Sequence, residues 1–218
     1  MITPKEIKQS SRKTLSIKIN GQGELIVYAP IKMPDCKIYE FLEEKRNWIE
    51  RNVAKVKSDR QMYSTLKLTG GETIPYFSGV LSVKTIYSGR IKKENGVLFI
   101  KDGDTEGFKR FIKKDFAGYC VERVKEIAFV MGAKYIGVSF NFAKTRWGSC
   151  SAKNKLNFSL YLAFVPTGLS DYVIVHELAH TFFKNHGDKF WKTVERFMPD
   201  YKLRRKALKE YSRINGLI

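Results

Sequence analysis

The sequence predicts an α+β protein: a β-rich N-terminal lobe over residues 1–104, then a helical C-terminal lobe with one small sheet over residues 105–218. Three observations carry this. Residues 15–29 and 66–102 contain short runs rich in β-branched and aromatic residues, separated by Gly, Ser and Asn. Residues 36–57 and 106–131 place apolar side chains at helical spacing. Beyond Pro166 only helical patterns remain.

The elements follow in order. Leu15-Ser16-Ile17-Lys18-Ile19 alternates apolar and polar residues, Asn20-Gly21 and Gly23 supply turn chemistry, and Glu24 to Ala29 is the partner strand. Pro30 and Pro34 end it. Ile38, Phe41, Leu42, Trp48, Ile49, Val53 and Val56 predict one helix over 36–57. LKLTGGETIPYF, VLSVKTIYS and GVLFIKD predict three strands. Phe108, Ile112, Phe116, Val124 and Met131 mark the long helix, with Gly132 as its C-cap. Strands are expected at 135–142 and 156–164. Pro166, Thr167 and Gly168 break the chain, and Ser170 or Asp171 caps a helix running to about Lys184. Further helices start at Asp188 and cover roughly 200–213.

Composition narrows the class. Hydrophobic residues are 43% and charged residues 28%, ordinary for a globular chain. The charge is not ordinary. Forty Lys and Arg against 22 Asp and Glu give +18. Residues 1–130 hold 25 basic and 16 acidic residues, and the shorter 131–218 stretch holds 15 and 6, so the second part is the more basic per residue. Such a field favours anionic partners, nucleic acid or nucleotides among them, and also serves solubility. Cys36, Cys120 and Cys150 are odd in number and lack any C-x-x-C spacing, which argues against a disulfide framework and for a reducing cytoplasm. No apolar stretch approaches the roughly 18 residues of a membrane span, and the N-terminus has no apolar signal core.

The chemistry concentrates in VHELAHTFFKNH, residues 175–186. His176-Glu177-x-x-His180 is an H-E-x-x-H pattern. Residues four apart lie about 40° apart around a helix, so both imidazoles leave one face and reach one metal. Glu177, about 100° from His176, can flank that metal without ligating it, where a general base is needed. Zinc suits this donor set, although imidazole also suits other divalent transition metals. His186 is the candidate third ligand. On a continuing helix it would point about 240° away from His180, so the helix must end between Thr181 and Asn185, with Asn185 turning left-handed before Gly187. The His spacing equals that of metzincin peptidases, but Phe183 stands where those carry a turn glycine. Glu195 on the next helix is the alternative third ligand, and Asp188 reads as a helix cap.

Arg146-Trp147-Gly148-Ser149-Cys150-Ser151, followed by Leu156-Asn157-Phe158, precedes the metal helix. An edge strand there would bind an extended peptide by backbone pairing. Arg146, Trp147 and Asn157 are the candidate substrate-binding residues, and Arg146 is suited to an anionic group. The bland alternative makes Trp147 a core anchor and Gly148 a bulge. Cys150 reads as a structural thiol rather than a nucleophile, and Phe190, Trp191, Val194 and Phe197 as the packed face of a helix behind the metal. Lys202, Arg204, Arg205, Lys206 and Lys209 form a basic face on the last helix, either solvated or facing phosphates.

RWGSCS (146–151), LNFSLYLAFVP (156–166), DYVIVHELAH (171–180), NHGDKFW (185–191) and MPDYKLRRKAL (198–208) together resemble the YgjP-like metal-dependent hydrolases, relatives of the WLM and SprT-like metallopeptidases. The early SSRKTLSIKI and Ala29-Pro30 extend the resemblance over nearly the whole chain. It implies a zincin-like catalytic lobe, with the metal on the residues matching as His176, His180 and His186, and Glu177 as catalytic base. Gly187 and Phe183 depart from the residues common in that family.

Three functions compete at this level. A zinc-dependent peptidase acting on peptides or proteins is the first. A metal-dependent phosphohydrolase acting on nucleotides is the second. A nucleic-acid-associated module with structural zinc is the third, disfavoured because structural zinc sites use four ligands and prefer cysteine.

Overall fold

The computed structural model describes residues 2–20, 22–62, 66–211, 214 and 217. The chain forms two compact units, Met1–Ser64 and Thr65–Ile218. The α+β class expected from the sequence is what forms.

The first unit holds β1 (Glu6–Ser10), β2 (Ser16–Ile19), β3 (Leu25–Pro30), α1 (Asp35–Glu44) and α2 (Arg46–Met62). The expected hairpin is present: β2 and β3 pair antiparallel from Ser16↔Tyr28 to Ile19↔Leu25. Asn20 builds the turn, its Oδ1 accepting the N–H groups of Gln22 and Glu24. Gly23 follows at φ 81, and Gly21 lies outside the described residues. β1 is not foreshadowed by the sequence. Only Ile7 is apolar in EIKQS, and the strand is held by parallel backbone pairing to β3 instead of by a buried face. Leu25, Val27 and Ala29 alternate inward and pack with Ile38, Leu42 and Ile49. The single helix expected at 36–57 bends at Lys45, where φ is −93 and ψ 6. The hydrogen-bond ladder crosses the bend, with the Lys45 N–H on Phe41 and its carbonyl accepting from Ile49.

In the second unit, β4 (Thr73–Tyr76), β5 (Gly79–Thr85), β6 (Lys92–Glu94) and β7 (Val97–Ile100) form a sheet in the order β4-β5-β7-β6. β6 is an unforeseen edge strand of three charged residues. Asn95 and Gly96, both at positive φ, join it to β7, the pairing that a tight two-residue hairpin turn demands. α3 (Thr105–Met131) follows as expected. Asp104 caps it by accepting the Gly107 N–H at 2.7 Å. Gly132, at φ 67 and ψ 25, closes it. Its buried face runs through Phe108, Ile112, Phe116, Cys120 and Val124.

The second sheet holds β8 (Gly137–Asn141), β9 (Gly148–Cys150) and β10 (Lys155–Ser159) in the order β8-β10-β9. β10 is shorter than the strand the sequence predicts, which runs to Phe164. It stops at Ser159, whose hydroxyl accepts the Tyr161 N–H and donates to the Ala143 carbonyl. Residues Leu160–Phe164 then form a buried 3-10 turn. α4 (Thr167–Ala179), α5 (Asp188–Phe197) and α6 (Tyr201–Glu210) complete the unit. α4 starts earlier than Ser170 or Asp171 because neither side chain is free to cap. The Ser170 hydroxyl donates to Leu162, and the Asp171 carboxylate takes two bonds from Arg123, each 2.9 Å. The junction at 104/105 lies inside this unit, between β7 and α3.

Candidate metal centre

α4 is buried on most sides, with Tyr172, Val173, Ile174, Val175, Leu178 and Ala179 all in the core. His176 and His180 leave its one partly open face. The helix ends at Ala179, a little before the expected stop. The Thr181 N–H bonds to Leu178, and the N–H groups of Phe182 and Phe183 both bond to Ala179. These tightened turns redirect the chain. No left-handed residue is used: Asn185 is not among the positive-φ residues, and Gly187 is extended at φ −78, ψ −178. The expected glycine-type or asparagine-type reversal is therefore replaced by 3-10 bonding.

The result brings His186 to the pair. The three histidines offer ligand nitrogens that all lie within 4.8 Å of one another. The Nε2 atoms of His176 and His186 are 3.0 Å apart. His180 Nδ1 faces the Phe183 carbonyl at 3.0 Å. That bond needs the proton on Nδ1 and leaves the Nε2 lone pair for a metal. Phe190 of α5 is fully buried and packs on all three imidazoles, with centroids 4.5 to 4.9 Å away. Trp191 stacks on His186.

The donor set fits a divalent metal. Burial pushes His176 down to about 3, helped by His180, His186 and Arg205. Burial also lowers His180. Neutral imidazoles are the form that ligates. Three protein ligands leave a coordination position for water or substrate, as catalytic zinc sites do. Glu195, the alternative ligand, is not in this cluster. It is exposed and lies 3.9 Å from Lys202. Asp188 is the exposed first residue of α5, after Gly187 in the cap position.

Glu177 is 5% exposed, on the same turn as His176. Burial pushes its carboxyl up to about 8, opposed by the charge of Arg146. It lies against β9, and Gly148 makes this possible. A Cβ at Gly148 would sit 2.7 Å from Glu177 Cγ and 2.8 Å from Oε1. Neither the bulge reading nor any periodicity in the sequence reveals this use of the glycine. Gly148→Ala is accordingly expected to displace the carboxylate and lower turnover at least tenfold, while bound metal stays near wild type. Steady-state kinetics beside metal analysis checks this, and unchanged turnover would contradict it.

The other candidates divide. Trp147 lines a cavity of about 380 Å3 together with Gly148, Tyr172, His176, Glu177 and Arg205. Arg146 is exposed and touches the site through its charge. Asn157 does not belong to the site. It sits on the central strand β10, its Oδ1 accepting from Ser139 on β8, and does not line the cavity. β9 is an edge, as expected. Trp147 O and Ser151 N–H bond to β10. By antiparallel alternation the backbone groups of Gly148 and Cys150 point outward. Burial raises the Cys150 thiol above its ordinary value, against a nucleophilic role. Two residues take positions that the sequence does not show. Arg205, over Trp191 at 4.8 Å, borders the same cavity as Trp147 and Glu177. Lys184 donates to Ser151 O at 2.9 Å and to Asn154 Oδ1, tying the His180–His186 segment to the β9–β10 turn.

The family described as "YgjP-like, metallopeptidase domain" matches residues 13–211. Among solved structures, the metallopeptidase zymogen abylysin of Pyrococcus abyssi is similar at 19% identity and a TM-score of 0.38, covering 41% of this chain and 90% of that one. The metallopeptidase zymogen jannalysin of Methanocaldococcus jannaschii is similar at 23% identity and 0.37, covering 41% and 96%. A comparison with curated proteins gives no match.

Proposed function

Because the chain belongs to the YgjP-like metallopeptidase family, we propose that it is a zinc-dependent peptidase in which His176, His180 and His186 hold the metal and Glu177 is the general base. One observation carries the reading: three imidazoles converge, their ligand nitrogens within 4.8 Å of one another, on a packed aromatic floor, with a buried carboxylate one residue along the same helix. When bound, the metal polarises a carbonyl and makes a water more acidic.

The residues supply the rest. Glu177 accepts a proton from the attacking water at a carboxylate oxygen and hands it to the departing amine. Gly148 gives the carboxylate room. A cation beside Glu177 favours its ionised form, against the burial that raises it. The outward backbone groups of Gly148 and Cys150 are suited to pairing with an extended substrate, so that a peptide adds a strand to β9. Trp147 and Tyr172 give the adjoining cavity apolar walls for a substrate side chain, and Arg205 and Lys209 give it two cations. Three unpaired cysteines suit a reducing compartment such as the cytoplasm. Among the described residues no helix is long and apolar enough to cross a membrane.

The zinc-loaded protein is expected to cleave members of a mixed peptide library read by mass spectrometry. A chelator abolishes cleavage, and added zinc restores it. Phosphate release from nucleoside triphosphates with no peptide cleaved would contradict the reading.

A further inference from the structure

A larger cavity of the second unit, about 770 Å3, lies away from the histidines, between the β6–β7 end of the first sheet and the start of α3. Cations line both walls. Arg90, Lys92, Lys93 and Lys101 come from the sheet side, and Arg110 and Lys114 from α3. The last two are four residues apart and so share a helix face. The acids here are already engaged. Asp104 caps α3. Asp115 accepts Lys93 at 2.7 Å and the Tyr76 hydroxyl. Lys92 pairs with Glu94 at 2.9 Å.

Arg90, Lys101, Arg110 and Lys114 have no ion-pair partner among the described residues. Four uncompensated charges of one sign around one concavity repel each other, and an anion entering it relieves that repulsion. On the basic face of α6, Arg204 is bound by Asp200, Lys202 lies near Glu195 and Arg205 covers Trp191, which leaves two cations, Lys206 and Lys209, without an ion-pair partner among the described residues, against four around the trough.

We propose that this trough binds the phosphate backbone of a single-stranded nucleic acid. The concave shape excludes a flat membrane, which would meet cations on an outward face. Its volume is that of a small-ligand site, so it admits one or two nucleotides of a strand and not a duplex. Phe111, half-buried, and Ile91 give the trough an apolar surface on which a base can rest. Nothing in this proposal depends on the metal or on peptide cleavage.

The test is fluorescence anisotropy with a labelled thymidine 12-mer. The wild type is expected to bind at about 10⁻⁴–10⁻⁶ M near physiological salt. Arg110→Glu/Lys114→Glu is expected to weaken binding at least tenfold and to flatten the salt dependence by about 1.4 in slope, two contacts at 0.7 each. Arg110→Gln/Lys114→Gln gives the same direction with a smaller effect, and unchanged melting shows that both variants fold. Lys202→Glu/Lys206→Glu on α6 stays within twofold of wild type. Equal weakening by the α6 pair, or no binding of the 12-mer, overturns the proposal. So does equal competition by polyglutamate, by free ATP or by anionic phosphatidylserine vesicles at matched charge.

Discussion

Glu177→Gln is expected to lower kcat by about 10²–10⁴, the usual worth of a general acid–base group, with one metal still bound per chain. The substitution is nearly isosteric, so the close fit against Gly148 survives. It should not harm the fold. Burial opposes the charge on Glu177 and raises its carboxyl to about 8, so a neutral amide at that position loses no favourable ionisation. The melting temperature of the metal-free variant is predicted at or slightly above that of metal-free wild type. What the amide loses is the ability to accept a proton from water. Turnover at the wild-type rate in a correctly metallated Glu177→Gln protein would remove Glu177 from the base role.

The second large effect is in metal affinity. Replacing His176, His180 or His186 by Ala is expected to weaken zinc binding by more than the 10–100-fold typical of losing an outer partner of a ligand. Competition against a chromophoric chelator reads this directly. His186 is the informative case, because it lies outside α4 and reaches the cluster only through the turn after Ala179. Glu195→Gln is expected to leave affinity unchanged, since Glu195 is exposed near Lys202. A large loss in Glu195→Gln with none in His186→Ala would reverse the ligand assignment.

The readable parts of this protein are the local ones. The i and i+4 histidines need no tertiary knowledge, because helix geometry alone puts them on one face. α3 is legible because its buried face repeats at helical spacing and ends on a glycine that caps it. The β2–β3 hairpin was legible from alternation and turn residues. What resisted reading depends on distant partners. Gly148 is a glycine because Glu177 of α4 lies against it, and nothing near position 148 says so. Asn157 looked like a cleft residue, but β10 is the middle strand of its sheet and Ser139 takes that side chain. Asn185 suggests a left-handed turn to His186, whereas the chain uses successive short-range backbone bonds. β6 has no apolar alternation, and only the Asn95-Gly96 pair after it announces a hairpin.

Elemental analysis of the purified wild type beside His180→Ala, each after exposure to zinc at neutral pH, tests the central claim most directly. His180 is the proposed ligand whose tautomer is already fixed by the Phe183 carbonyl. The account predicts about one zinc per wild-type chain, the single-ion site of catalytic zinc, and none in the variant. No metal in the wild type, or equal metal in both, would contradict it.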